Sequence, residues 1–245
     1  MHIQLDPEFI SHSVFQPVYL MSGKLFSVEL LTRFHGVAGS LVMPAGIGIT
    51  LLSPEQRIEL FDEQLQFAEQ NALWFVENEI ILTINIDETV VDWILCDWVL
   101  SNRLQQCTFI AFEISESFPN LSAGKDNNKI RLLKDSHTLW LDGFGSGKAT
   151  LSALYDGLFD YVKIDKRFYW HLFAQQGYDV VMDSLLKNIN ILCQGVIVCG
   201  IEKKEHFTAL RNAGVLGLQG FLWPMVKADT LYTLPLIAKE FDIHS

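Results

Sequence analysis

Short apolar runs, each followed by a polar or small residue, recur along the chain and alternate with segments in which apolar residues repeat at helical spacing. The runs read VEL, TINID, FEIS, WLDGFG, YVKID, VIVCGIE and GLQGF, and their functional positions are Glu29, Asn85, Glu113, Asp142, Lys163, Cys199 and Gln219. This alternation predicts an α/β fold with a mainly parallel sheet. In a closed α/β barrel the carboxyl ends of such strands lie on one face, so these side chains are expected to converge.

The first two strands are predicted to pair with each other. FQPVYL at 15–20 and LFSVELLTRF at 25–34 flank a short turn at Gly23, a pattern typical of an antiparallel hairpin. Further on, Ser53 with Gln56 three residues later predicts a capped amphipathic helix. The chain thus opens with an antiparallel pair and then continues as alternating helices and strands.

The remaining pattern predicts the rest of a barrel. We expect strands near 79–86, 108–114, 137–142, 160–164, 195–199 and 215–219, and helices near 88–104, 178–192, 203–213 and 228–240. With the first pair this gives about eight strands, the number that closes an α/β barrel. No low-complexity linker or repeat interrupts the pattern, so we expect a single domain over 1–245.

The composition narrows the classes of function. The 245 residues include 18 basic and 29 acidic ones, and the net charge of -11 argues against direct binding to DNA or to an anionic membrane. No basic leader and no apolar run of about 18 residues is present, which favours a cytoplasmic protein. The four cysteines form no C-x-x-C pair and are expected to be reduced thiols.

Four of the strand-end residues offer hard oxygen ligands, which suit Mg²⁺, Ca²⁺ or Mn²⁺ better than zinc. They are Glu29, Asn85, Glu113 and Asp142. For any one of them, a polar residue that caps the end of a strand is an equally good interpretation. Phosphodiester hydrolysis by the two-metal route also needs carboxylates for a second ion, whereas Gly143 has no side chain and Cys199 is a soft ligand.

Two basic residues have alternative interpretations. Lys163 could act as a general base or hold a phosphate, or it could simply pair with the neighbouring acids. Arg33 could hold a phosphate in a bidentate contact, or pair with a surface acid.

In this order, the motifs resemble the EAL family of cyclic di-GMP phosphodiesterases. FQPVYLMSGKLFSVELLTR has Glu-Leu-Leu at 29–31, where the signature triplet stands, and TINID, FEISES, LDGFGSG, DYVKID, CGIE and LQGF match the later blocks. The resemblance runs from Phe15 to about Val226. It implies an EAL-type modified TIM barrel of about eight strands, one of them antiparallel, formed by a single degenerate EAL domain.

The resemblance also implies a role for each site residue. Matches to the family pattern are the first-metal ligands Glu29, Asn85, Glu113 and Asp142, the active-site remnants Lys163 and Glu202, the ligand-contacting Gln16 and Arg33, and the further site residue Gln219. The second ion depends on acids at the positions of Gly143 and Cys199, which are lost here. We therefore expect no catalysis, no required cofactor and at most one residual Mg²⁺ or Mn²⁺ ion.

FPNLSAGKDNN, YDGLF and LQGFLWP resemble the YdiV-type branch of degenerate EAL proteins in enteric bacteria. That branch implies a catalytically inactive regulator that binds the FlhD subunit of the flagellar master activator FlhDC and represses flagellar gene expression and motility. Because Gln16, Arg33 and Lys163 remain, two alternatives stay open. They are a weak cyclic di-GMP phosphodiesterase and a cyclic di-GMP receptor that does not hydrolyse its ligand.

Overall fold

The structure is a computed structural model that describes residues 2–3, 9–36, 42–43, 45–147 and 152–241. Its strands are β1 (His2–Ile3), β2 (Phe9–Leu20), β3 (Leu25–Gly36), β4 (Val42–Met43), β5 (Ile81–Asn85), β6 (Ile110–Ser115), β7 (Thr138–Phe144), β8 (Tyr161–Ile164), β9 (Gly195–Cys199), β10 (Gly217–Gln219) and β11 (Val226–Lys227). Its α-helices are α1 (Ala45–Leu51), α2 (Pro54–Gln70), α3 (Ala72–Glu77), α4 (Glu88–Cys96), α5 (Trp98–Gln106), α6 (Asn128–Lys134), α7 (Ser152–Tyr155), α8 (Lys166–Phe173), α9 (Tyr178–Asn190) and α10 (Lys204–Leu210).

Eight of these described strands close a barrel in the order β2, β10, β9, β8, β7, β6, β5, β3, and pairing between β2 and β3 completes the circle. Within it β2 runs antiparallel to both of its neighbours, while the other neighbouring pairs are parallel. The short strands β1 and β11 pair with β2, and β4 pairs with β3. The predicted barrel with one antiparallel strand is confirmed.

Alternation along the strands separates an inner from an outer layer of side chains. The lower interior is apolar, where Val18, Ala111, Trp140 and Ile197 pack together. The opposite faces of the strands pack against the surrounding helices in a much larger apolar cluster. Polar side chains take over the interior only near the carboxyl ends of the strands, so the barrel mouth is the place where chemistry can occur.

The first hairpin is longer than a barrel strand needs to be. Its pairing continues beyond Gln16 and Glu29, which lie opposite each other at the mouth, as far as Phe9 and Gly36. We call residues 9–14 of β2 and 31–36 of β3 the overhang. On its outer side, Phe9 and Phe34 pack with Leu52 and Leu60, and this apolar contact holds the overhang in place above the mouth. 

The predicted cap of the first long helix is confirmed. Gln56 donates its backbone N–H to the hydroxyl of Ser53 at 3.3 Å, and the Gln56 side-chain oxygen accepts from the Ser53 backbone N–H at 3.0 Å. Both contacts satisfy donors that a helix start leaves open. Helix α2 therefore begins where the sequence pattern placed it.

Two predicted helices are wrong in detail. The segment 88–104 forms α4 and α5, because Asp97 ends the first and accepts hydrogen bonds from the backbone of Val99 and Leu100 to start the second. The predicted helix over 228–240 forms only two 3-10 turns, Ala228–Thr233 and Lys239–Phe241. Pro235 disfavours helical geometry at the preceding residue, and the carbonyl of Leu236 accepts from Leu25 in β3.

Helices α1, α3, α6, α7 and α8 have no counterpart among the predicted elements, because each has eight residues or fewer and so shows little helical periodicity. In the described part of the chain, no helix combines the length and the apolar character that crossing a membrane requires. The expectation of a single domain over 1–245 stays a prediction.

Candidate functional site

A buried lysine lies at the centre of the barrel mouth. The Lys163 ammonium is 2.7 Å from Glu29 Oε2, 2.6 Å from Glu113 Oε2 and 3.8 Å from Asp142 Oδ1. Lys163 and Glu113 are each 1% exposed, and Glu29 is 7% exposed. The convergence predicted for these four strand ends is confirmed, and of the two interpretations of Lys163 the structure shows the paired one.

Two amides complete the arrangement around Glu29. Asn85 donates to Glu29 Oε1 at 2.8 Å, and Gln219 donates to Glu29 Oε2 at 2.9 Å. With Lys163, both carboxylate oxygens of Glu29 are therefore engaged. We call Glu29, Asn85, Glu113, Asp142 and Lys163 the mouth cluster.

Burial and charge set the protonation of the mouth cluster. Burial by itself would lower the pKa of Lys163, but the adjacent Glu113, Glu29 and Asp142 outweigh it and raise that pKa well above its ordinary value. Burial opposes ionisation of Glu29, yet Lys163 and the two amides lower its pKa overall. Burial, with repulsion from Glu29, raises the pKa of Glu113 to about 8. One carboxylate is thus held ionised while its neighbour favours a proton.

The shift at Glu113 predicts a pH dependence of stability. Its pKa is about 8 in the folded chain and near 4.5 as a free side chain, so folding takes up a proton between these values. The contribution of Glu113 to stability is full at pH below about 4.5 and is lost as the pH rises through about 8. Glu113→Gln should remove this pH-dependent contribution, so that the free energy of unfolding falls less between pH 5 and pH 8 than in the parent chain.

Urea unfolding at several pH values in this window checks the prediction. Glu77→Gln is the matched control, because Glu77 is exposed on α3 and its removal should leave the parent slope unchanged. Equal slopes for Glu113→Gln and the parent chain would contradict the assignment of the proton uptake to Glu113.

The donor set of the mouth cluster fits a hard divalent cation in its chemistry. Glu113 Oε1 is buried and has no hydrogen-bond partner among the described residues, and the Asp142 side chain is 34% exposed beside it. No group of three acidic, histidine or cysteine side chains in the described ranges is already arranged as a metal site. The predicted residual ion would therefore have to draw Asp142 and Glu113 together and compete with Lys163 for their charge.

The two positions that lack carboxylates differ in what they offer. Gly143 has a positive φ of 78° and open space where a Cβ would be, so a side chain fits there at the cost of backbone strain. The Cys199 thiol donates to Gln219 Oε1 at 3.4 Å, and burial raises its pKa, so it stays a neutral thiol. Neither position supplies a ligand for a second hard ion.

A small cavity of about 140 Å³ lies beside Glu29, and the predicted ligand-binding remnants Gln16, Arg33 and Gln219 line it. Gln16 is only 5% exposed and donates to the carbonyls of Gly220 at 3.1 Å and Trp223 at 3.0 Å. Its amide N–H groups therefore hold the loop after β10. Arg33 lines the same cavity, and among the described residues it donates to two neutral acceptors, the Thr32 carbonyl and Met225 Sδ, each at 3.3 Å.

Glu202, another predicted site residue, also lies apart from the mouth cluster. It is exposed at the rim of the smaller cavity, and its backbone N–H donates to His206 Nδ1 at 3.3 Å. No hydrogen bond or ion pair among the described residues joins its carboxylate to Lys163 or Glu29.

Two features were not found from the sequence. Glu116 accepts from the Gly145 backbone at 2.7 Å and from the Ser146 hydroxyl at 2.6 Å, which fixes the loop that follows Asp142. In the sequence, the second acid of FEISES is the feature that could have indicated this role of Glu116.

A larger cavity of about 340 Å³ opens beside Asn85 and Glu113, with mainly apolar walls that include Leu60 and Phe61. An ion pair of 2.8 Å between Arg57 and Asp87 lies at its edge.

Known proteins are similar to this chain over most of its length. The family described as EAL domain matches residues 9–225. The chain is 29% identical over 234 residues to a protein named anti-FlhC(2)FlhD(4) factor YdiV from Salmonella paratyphi B, and this match covers 96% of the chain and 99% of the relative. A protein from Escherichia coli K12, named putative anti-FlhC(2)FlhD(4) factor YdiV, is 29% identical over the same length.

Solved structures agree with the fold. The crystal structure of the EAL-like domain protein YdiV superposes with a TM-score of 0.86 at 28% identity, covering 94% of this chain and 97% of that one. The PaMucR phosphodiesterase in complex with c-di-GMP superposes with a TM-score of 0.71 at 20% identity, covering 90% and 94% of the two chains. The second likeness supports the fold alone.

Proposed function

Since the chain belongs to the EAL domain family, we propose that it is a catalytically inactive member that regulates transcription by binding another protein. The observation that carries this proposal is the composition of the mouth cluster. Its carboxylates are bound by the internal cation Lys163, and the neighbouring positions Gly143 and Cys199 offer no hard ligand. A phosphodiesterase of the two-metal type needs such ligands, and a protein that acts by contact does not.

The partner we propose is the FlhD subunit of the flagellar activator FlhDC. Relatives that align over 96% of the chain are named anti-FlhC(2)FlhD(4) factors. Binding to FlhD would keep the activator from its promoters and so repress flagellar genes and motility. The acidic surface, with a net charge of -11, suits a partner that has a basic DNA-binding face and does not suit DNA itself.

The two alternatives that involve cyclic di-GMP, weak hydrolysis and binding without hydrolysis, are not favoured by the geometry. The amide N–H groups of Gln16 are already used within the fold, so this residue does not offer them to a dinucleotide. Arg33 remains available, but a cation beside carboxylates that are already paired with Lys163 does not make a hydrolytic site. Neither weak hydrolysis nor a receptor role for cyclic di-GMP is therefore part of the proposal.

The same proposal covers the metal and the location. If a divalent ion binds, Glu29, Asn85, Glu113 and Asp142 would hold one Mg²⁺ or Mn²⁺, which would supply Lewis-acid polarisation of a phosphate oxygen. Regulation by FlhD does not require it. A protein that meets a transcription activator would work in the cytoplasm.

Binding to the purified FlhC(2)FlhD(4) complex tests the proposal. We expect a complex on size-exclusion chromatography at micromolar concentrations and loss of promoter DNA from FlhDC in a mobility-shift assay. FlhC prepared without FlhD serves as the control and should not bind. Absence of any complex with FlhD at micromolar concentrations would overturn the proposed function.

A further inference from the structure

The overhang and the adjoining strand β11 carry four basic side chains on one face, His12, Arg33, His35 and Lys227, which we call the basic face. His12 lies opposite Arg33 across the hairpin, and His35 follows Arg33 by two residues. Lys227 lies opposite Val14, two residues from His12. Directly opposed residues and residues two apart share a face of a sheet, so the four side chains point the same way.

This face is continuous with the barrel interior. On the same face, His12 and Arg33 are followed by the pair Val14 and Leu31 and then by the pair Gln16 and Glu29 at the mouth. The opposite side of the overhang is covered by the Phe9 and Phe34 cluster. The basic face therefore looks over the barrel mouth. His12 and Arg33 are half-buried, whereas His35 and Lys227 are exposed.

Within the described ranges, the basic face has no ion-paired counterions. The ion pairs among the described residues involve none of its four members. The charged groups that act on His12 are His35 and Arg33 from β3 and Lys227 from β11. Burial and repulsion from these groups lower the pKa of His12, and its ring lies 4.4 Å from that of His35. An anion placed here would relieve the repulsion at every member.

The basic face differs in charge from the rest of the chain. The chain has a net charge of -11, so most of its surface repels anions. A cluster of basic side chains that forms no ion pair with the described residues is the place where an anionic group can approach. Electrostatic complementarity of this kind sets orientation and partner choice at protein interfaces.

The length of the basic face indicates which kind of anion can contact all of it. From the level of Val14 and Lys227 to that of Ile10 and His35 there are four residues, about 13 Å at 3.3 Å per residue. One phosphate is too small to reach all four basic side chains, whereas carboxylates spaced along a polypeptide reach each in turn. Ile10 is 39% exposed among them and offers an apolar contact to such a segment.

We propose that the basic face is a docking surface for an acidic segment of a protein partner. The inference rests on the proposed function, because it assumes that the chain acts by protein contact, and it adds which surface is used and what chemistry the partner presents. The acidic surface of the chain repels such a segment elsewhere, so the segment is directed to the barrel mouth.

A fluorescent peptide of twelve residues, rich in glutamate and aspartate and blocked at both ends, is the probe. Anisotropy at low salt should show saturable binding to the full chain that weakens at least tenfold between 50 and 300 mM salt, because the contact is ionic. The double variant His12→Gln with Lys227→Gln should bind at least tenfold more weakly. The control variant Lys187→Gln with Lys239→Gln, which removes exposed lysines from other faces, should change binding less than twofold.

Lowering the pH from 7.5 to 6.0 should tighten peptide binding in the parent chain and in the lysine control, because bound carboxylates offset the repulsion that lowers the pKa of His12 and so favour its protonated form. His12→Gln should lose that tightening. Far-UV circular dichroism and unfolding midpoints check that each variant is folded.

Three results would overturn the inference. They are no saturable peptide binding, equal loss in the control and test variants, and binding of cyclic di-GMP at the basic face in place of the peptide. The same variants are then tested against FlhC(2)FlhD(4). If the parent chain does not bind that complex, the proposed function fails whatever the peptide shows. If the parent and the His12 and Lys227 variant bind it equally, the inference fails and the function stands.

Discussion

Replacing Lys163 by methionine is expected to lower the free energy of unfolding at pH 7 by about 3–5 kcal/mol, the usual cost of removing one partner from a buried ion pair. Lys163 is 1% exposed and lies within 2.7 Å of two carboxylates. Methionine keeps much of the side-chain volume and removes the charge. The ionised Glu29 would then lie in a buried site without a counterion, which is the costly situation.

The loss should shrink at low pH. Protonation of Glu29 removes the buried charge that the lysine normally offsets, so the two chains should converge in stability as the pH falls toward 4. Urea unfolding at pH 4, 5.5 and 7 measures the difference. The control Lys187→Met changes a lysine whose side chain is 73% exposed, and it should shift stability by no more than about 0.5 kcal/mol.

A second variant keeps this prediction testable if Lys163→Met does not fold. Lys163→Met combined with Glu29→Gln removes one charge of each sign, because Glu29 is the carboxylate that is held ionised, and it should recover part of the lost stability. A loss below about 1 kcal/mol in the single variant at pH 7 would show that Lys163 is not the counterion that stabilises the mouth cluster.

Restoring the two missing acids is expected to raise cyclic di-GMP hydrolysis by at least about 10³-fold with Mn²⁺, since ligands for a second ion supply several kcal/mol of transition-state stabilisation. The variant is Gly143→Asp with Cys199→Glu. Space exists beyond Gly143, and aspartate tolerates a positive φ better than most residues. The parent chain should form no linear dinucleotide above background.

The matched control for this variant is Gly143→Asn with Cys199→Gln, which has the same shape and strain without the charges. It should stay inactive, because hard cations need the carboxylates. Chromatography of the linear product, with and without chelator, makes the measurement. A folded acid variant that gains no activity would show that the site is altered beyond positions 143 and 199.

The sequence pattern placed most of the barrel correctly. Each apolar run followed by a polar residue became a barrel strand, because period-two alternation and strand length are local properties. The same reasoning failed at 88–104 and 228–240, where Asp97 and Pro235 end helical geometry within apolar stretches. Asp97 and Pro235 can be read from the sequence. Whether each of them interrupts a helix within an apolar stretch depends on tertiary contacts.

By itself the sequence determined the barrel, its antiparallel opening strand, the family resemblance and the residues that gather at the mouth, since these follow from periodicity and from motif order. Tertiary structure decided that Lys163 occupies the centre of those residues, that Gln16 is used inside the fold, and that His12, Arg33, His35 and Lys227 share one face. The physical reason is that electrostatic pairing depends on distances and burial between residues far apart in the chain. Lys163 and Glu29 are separated by 134 positions but lie 2.7 Å apart.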